Sequence, residues 1–88
     1  MAGKAIPVTE GQKRAARKAT KMAGGQMALA RQLMPSSTSK EDMVKMASTI
    51  RMWCMYNGVA PRWVNKVNDI TGVSRHAMQP GIFRKTDG

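Results

Sequence analysis

Five cations recur along a short segment near the N-terminus of the sequence. Their spacing follows the period of an α-helix and places them on one helix face: Lys13, Arg14, Arg17, Lys18 and Lys21. No acidic residue lies between Glu10 and Glu41. Because like charges on one face repel one another, a polyanion lying along them relieves that repulsion. The pattern therefore predicts a helix that binds phosphate groups, as in nucleic acid.

The charge of the whole chain points in the same direction. Fifteen Lys and Arg residues against five Asp and Glu residues give 88 residues a net charge of +10. A strongly positive field speeds the capture of phosphate polymers, and a very basic domain is typical of nucleic-acid binding. Charge alone leaves acidic lipid, an acidic protein surface and structural RNA open as other polyanions. The length allows one domain with a thin core.

Side chains suited to catalysis or metal binding are sparse. His76 is the only histidine and Cys54 the only cysteine, which excludes a histidine pair, a thiolate cluster and an intrachain disulfide. No glycine-rich phosphate loop followed by Lys and Ser or Thr is present. We therefore expect no enzyme, no catalytic residue, no metal and no cofactor. The sequence has no apolar run typical of a signal peptide or membrane span, so we expect a cytoplasmic protein with no membrane partner. We expect its cell to be a bacterium or a phage-infected host.

Capping signals and apolar periodicity predict the helices that position these residues. Thr9 and Gln12 match a capping box that starts a basic helix within residues 9–34. Gly24-Gly25 interrupts it, so two helices with a hinge and one kinked helix both stay open. Residues 39–57 are predicted as the central core helix, with an apolar stripe at Met43, Met46, Ala47, Ile50, Trp53 and Cys54.

The predicted fold is all-α: a small bundle of three to four helices with a basic N-terminal helix and arm. We expect residues 1–8 to form a flexible arm and residues 9–88 to form a single helical domain. Within it, residues 61–79 read as two helices around a glycine turn, and residues 80–88 as a tail. In that tail, Ile82–Lys85 could form a short strand or Ile82 and Phe83 could fold back onto the core.

The segment 61–79 has the order helix, glycine turn, capped helix. This stretch resembles the helix-turn-helix unit of DNA-binding proteins, in which the second helix enters the major groove. The resemblance implies that Gly72 occupies the position that needs a positive φ, that Val73 points into the core and that Ser74 caps the second helix. The sequence departs from that pattern at Asn68, where the family has a small residue, and at Thr71, where it has an apolar one.

The resemblance implies which side chains meet DNA. Base or phosphate contacts are carried over to four residues: Ser74, Arg75, His76 and Gln79. Four cations would flank them on the backbone, where contacts position the protein and do not specify sequence: Arg62, Lys66, Arg84 and Lys85. Pro80 ends the second helix early, which shortens the segment available for such contacts.

We therefore expect a small DNA-binding regulator of transcription, of bacterial, phage or plasmid type, with nucleic acid as partner and DNA favoured over RNA. The basic helix also resembles the arginine-rich RNA-binding peptides of phage antiterminators, so RNA binding in antitermination or at the ribosome is one alternative. Another is an interaction protein that docks its basic face on an acidic protein partner. A small ribonuclease toxin is disfavoured because no strands are predicted beyond the tail. Met52 and Met55 lie off the apolar stripe of residues 39–57, which leaves a homodimer open.

Overall fold

The computed structural model describes residues 8–81 of the chain. This range contains five α-helices and one π-helical turn: α1 (Glu10–Ala23), α2 (Gln26–Leu33), α3 (Lys40–Met52), the π turn (Trp53–Asn57), α4 (Pro61–Thr71) and α5 (Arg75–Met78). No strand occurs within it, so the all-α prediction is confirmed. The predictions for residues 1–7 and 82–88, including the contacts by Arg84 and Lys85 and the tail strand, lie outside the described residues.

The start and end of α1 follow directly from its sequence. Thr9 accepts a hydrogen bond from the backbone N–H of Gln12 at 3.2 Å, and the Gln12 side chain accepts one from the Thr9 N–H at 2.9 Å. At the other end Gly24 and Gly25 have φ values of 104° and 120°. Side chains disfavour that left-handed region, so the glycine pair divides residues 9–34 into two separate helices.

The buried face of α1 is made of small side chains. Ala16 and Ala19 are almost completely buried, and the Thr20 hydroxyl donates to the Ala16 carbonyl at 2.8 Å while lying 3.4 Å from the Cys54 sulfur. Small residues bring the helix backbone close to its neighbours. Thr20 completes this buried face, whereas Met22 is 59% exposed.

α1 holds the central place in the bundle. It packs against α2, α4, α5 and the π turn, whereas α3 packs against α2 and runs on into the π turn. The sequence pattern had given the central role to residues 39–57. Those residues do bury the predicted stripe, with Met46, Ile50 and Trp53 inside the core. The basic helix is nevertheless the element around which the others are arranged.

The π turn ends at a glycine that touches α1. The Gly58 N–H donates to the Trp53 carbonyl at 2.9 Å, and Gly58 has a φ of 69°. A Cβ at this position would lie 3.0 Å from the Cβ of Gln12. Position 58 therefore favours glycine for two reasons: its backbone conformation is one that side chains disfavour, and α1 approaches closely. No helix in the described residues is long and apolar enough to cross a membrane.

Candidate nucleic-acid interface

Glu10 is the acidic residue that, within the described chain, forms ion pairs with the cationic face of α1. Glu10 forms ion pairs with Lys13 at 3.8 Å and with Arg17 at 3.4 Å. The Glu10 side chain is 62% exposed, so solvent screens these pairs and each adds little stability. Arg14 and Lys18 lie further round the helix, and Lys21 is exposed in its last turn. The five cations therefore form two groups: Lys13 and Arg17 pair with Glu10, whereas Arg14, Lys18 and Lys21 do not.

Arg14 and Lys18 stand on one wall of a groove between α1 and the α4–α5 turn, which we call the α1 groove. Its volume is about 490 Å³, and its lining residues are Gly11, Arg14, Ala15, Lys18, Met22, Gly72, Val73, Ser74 and Ala77. Ala15 and Val73 are buried and form an apolar floor. The fold thus brings two regions, predicted separately as basic helix and DNA-contacting turn, to opposite sides of one depression.

Each of the three described polar side chains that line the α1 groove can donate a hydrogen bond. Arg14 and Lys18 carry positive charge, and the exposed Ser74 hydroxyl accepts from the Ala77 N–H at 3.3 Å, which leaves its own O–H able to donate. Among residues 8–81, no acidic side chain lines the groove. An arrangement of donors and positive charge without a carboxylate is suited to an anion such as a phosphate.

The turn between α4 and α5 has the local geometry that the sequence predicted for it. Gly72 has a φ of 78°, Val73 is 5% exposed, and Ser74 is the N-cap of α5. α5 itself is only one turn long and ends at Met78, whose side chain is fully buried. The second helix of this unit therefore presents few outward side chains.

The two departures from the helix-turn-helix pattern both form hydrogen bonds at this turn. The Asn68 side chain donates to the Val73 carbonyl at 2.8 Å. The Thr71 hydroxyl donates to the Val67 carbonyl at 2.8 Å and accepts from the Val73 N–H at 3.2 Å. The Asn68 and Thr71 side chains thus fix the backbone of Val73. A small residue at 68 and an apolar residue at 71 would leave the Val73 carbonyl and N–H to find other partners.

The other predicted contact residues lie in several places. Arg75 is half-buried and donates to the Asn65 side chain of α4 at 3.4 Å, and His76 is also half-buried. Arg62 and Lys66 are exposed and lie one turn apart on α4. None of these four residues lines the α1 groove. Of the predicted set, the structure brings Arg14, Lys18 and Ser74 together.

Gln79 was predicted as a nucleic-acid contact, but its side chain forms hydrogen bonds within the protein. Its side-chain amide donates to the Val59 carbonyl at 2.6 Å and accepts from the Gln12 amide at 3.4 Å. Both ends of the amide are therefore engaged within the protein, where they join α5 to α1. Nothing in the local sequence distinguishes Gln79 from a surface glutamine, since its partners come from distant parts of the chain.

Sequence reasoning missed four residues of the α1 groove. They are Gly11, Ala15, Met22 and Ala77, and none carries a polar group that would have marked it as a ligand contact. The groove exists only because α1 and α5 are packed side by side. Within the described residues, no cluster of three or more His, Cys, Asp or Glu side chains is placed to hold a metal ion.

Comparison with protein-family models, with curated protein sequences and with solved structures finds no match to this chain.

Proposed function

We propose that this protein binds duplex DNA through α1 and the α4–α5 turn, as a small regulatory protein. The observation that carries the proposal is the α1 groove, which sets Arg14 and Lys18 across from Ser74. A DNA backbone lying over this groove meets cations from α1 on one side and the tip of the turn on the other. The exposed Lys21 extends the cationic wall by one helical turn.

The length of α5 indicates how such a complex distributes its contacts. One helical turn presents few side chains to base edges, and Arg75 is already held by Asn65 of α4. Contacts to phosphates therefore supply most of the affinity, and such contacts position a protein without reading sequence. We accordingly expect binding that is strongly salt-dependent and only modestly selective among sequences.

A comparison of duplex DNA with duplex RNA tests the choice of partner. The major groove of B-form DNA admits protein elements, whereas that of an A-form RNA duplex is deep and too narrow for the turn to enter. Fluorescence anisotropy with labelled duplexes of one sequence, at about 50 mM salt, should therefore give the tighter binding for DNA. Tighter binding to RNA would overturn the proposal in favour of RNA recognition by the basic helix. Negligible binding to both would favour an acidic protein partner.

A pair of lysine variants separates the α1 groove from net charge. Lys18→Ala and Lys40→Ala each remove one positive charge, but Lys40 is the first residue of α3, and no residue of the α1 groove belongs to α3. Lys18→Ala should weaken DNA binding and lower the slope of log K against log salt by about one. Lys40→Ala should leave both nearly unchanged. Equal losses in the two variants would contradict binding at the groove.

A further inference from the structure

A second groove lies between α3 and α4, and we call it the α3–α4 groove. Its volume is about 270 Å³, and its lining residues are Met34, Asp42, Lys45, Met46, Thr49, Arg62 and Trp63. Within the part of the chain that the structure describes, it shares no lining residue with the α1 groove. Any ligand bound here therefore occupies a different part of the surface from the proposed duplex.

The α3–α4 groove contains an aromatic ring, whereas the described lining residues of the α1 groove include none. Trp63 is half-buried among its lining residues, and the Arg62 guanidinium carbon lies 5.9 Å from the centre of the Trp63 ring. Trp53, by contrast, is 3% exposed within the core. Trp63 is therefore the tryptophan that a ligand in this groove can touch. An indole beside a guanidinium offers flat apolar surface next to positive charge.

The polar groups of this groove differ in kind from those of the α1 groove. Lys45 and Arg62 are donors with positive charge, while the Asp42 carboxylate is an acceptor. The Thr49 hydroxyl donates to the Lys45 carbonyl at 3.1 Å. A nucleobase edge presents both donors and acceptors, and its phosphate needs positive charge. The net charge of the lining is positive, so the groove is complementary to a nucleotide.

We propose that the α3–α4 groove binds an unpaired nucleotide of a single strand, with the base against Trp63 and the phosphate near Lys45 and Arg62. Paired bases have their faces covered by neighbours in the stack, so only an unpaired base can offer its face to the Trp63 ring. This extends the proposed nucleic-acid function to a second form of nucleic acid. Because the two grooves are separate, either proposal can fail without the other.

Intrinsic fluorescence tests the site in the unaltered protein. Titration with a short single-stranded oligodeoxyadenylate should quench the tryptophan emission, because a base stacked on Trp63 quenches its fluorescence while the buried Trp53 stays unaffected. The Trp63→Phe variant, in which Trp53 is the only tryptophan, should show no quenching when tryptophan is excited selectively over Tyr56. Unchanged emission of the unaltered protein at saturating oligonucleotide, or equal quenching of Trp63→Phe, would overturn the proposal.

Affinity measurements on three variants complete the test. Trp63→Leu keeps an apolar side chain without the aromatic face and should weaken single-strand binding at least about fivefold, with duplex affinity unchanged. Lys45→Ala alters an exposed side chain that the core does not need and should also weaken the single-strand complex selectively. Lys18→Ala should do the reverse. Single-strand affinity unchanged in both Trp63→Leu and Lys45→Ala would contradict the site. Single-strand binding by an unaltered protein that does not bind duplex DNA would contradict only the function proposed above.

Discussion

The side-chain amide of Gln12 donates to that of Gln79 at 3.4 Å, and Gln79 in turn donates to the Val59 carbonyl at 2.6 Å. These two bonds connect the first turn of α1, the C-terminal end of α5 and the segment that follows the π turn. Gln12 is 6% exposed and also completes the capping box of α1. The amide pair thus fixes the relative position of the two helices that form the walls of the α1 groove.

Removing the Gln79 amide should destabilise the protein. Gln79→Ala leaves the Val59 carbonyl and the Gln12 amide without this partner, and a buried polar group left unsatisfied costs about 1–3 kcal/mol. Gln26→Ala is the matched control, since Gln26 is exposed at the start of α2 and should change stability by less than about 0.5 kcal/mol. Urea denaturation followed by circular dichroism measures both. Equal stability of the two variants would show that the amide pair does not join α1 to α5.

Two glycine-to-alanine substitutions should have opposite effects. Gly58→Ala forces a side chain into the left-handed region, at about 1–2 kcal/mol, and brings its Cβ to 3.0 Å from the Cβ of Gln12. Gly11 lies inside α1, where a Cβ meets only the Thr9 hydroxyl at 3.6 Å. Gly11→Ala should therefore raise stability by up to about 1 kcal/mol. Thermal denaturation of both variants checks the difference, and a tolerated Gly58→Ala would contradict the close contact of α1 with the π turn.

The stability of the turn between α4 and α5 should depend on Asn68 but not on Asn65, which lies one helical turn earlier. Asn68→Ala removes the donor to the Val73 carbonyl and should cost about 1–2 kcal/mol, even though it restores the small residue of the helix-turn-helix pattern. Asn65→Ala alters an exposed side chain on the same helix and should have an effect below about 0.5 kcal/mol. Hydrogen exchange at the Val73 amide, which donates to the Thr71 hydroxyl, should speed up in Asn68→Ala alone. An unchanged exchange rate would show that other bonds hold the turn.

Features set by neighbouring residues could be predicted from the sequence. The capping box at Thr9, the break at Gly24-Gly25 and the turn at Gly72 each depend on a few adjacent side chains and on backbone sterics. The buried stripe of residues 39–57 follows from helical periodicity, which local spacing determines.

Features set by packing between distant residues could not be predicted. Gln12 and Gln79 are separated by 67 positions, so no local pattern shows that their amides meet. The exposure of Met22 depends on how the π turn and α5 pack against α1, which helical periodicity alone does not specify. The α1 groove has the same origin, since it is the space left between two elements whose packing the sequence pattern does not specify.

The division of the α1 cations leads to a prediction about Glu10. Its carboxylate pairs with Lys13 and Arg17, so Glu10→Gln should release both cations for phosphate contacts. DNA affinity should rise and its salt dependence should steepen, because more counterions are released on binding. The cost is the loss of a favourable carboxylate in the first turn of a helix, about 0.3–1 kcal/mol.

Glu41→Gln is a close control for that experiment. Glu41 also lies in the first turn of a helix, so its replacement changes net charge and dipole interaction in the same way, but it has no ion pair with the α1 cations. Anisotropy titrations across a salt series should show tighter DNA binding for Glu10→Gln and little change for Glu41→Gln. An equal gain in both variants would mean that net charge alone attracts the nucleic acid and that the face of α1 has no special part in binding it.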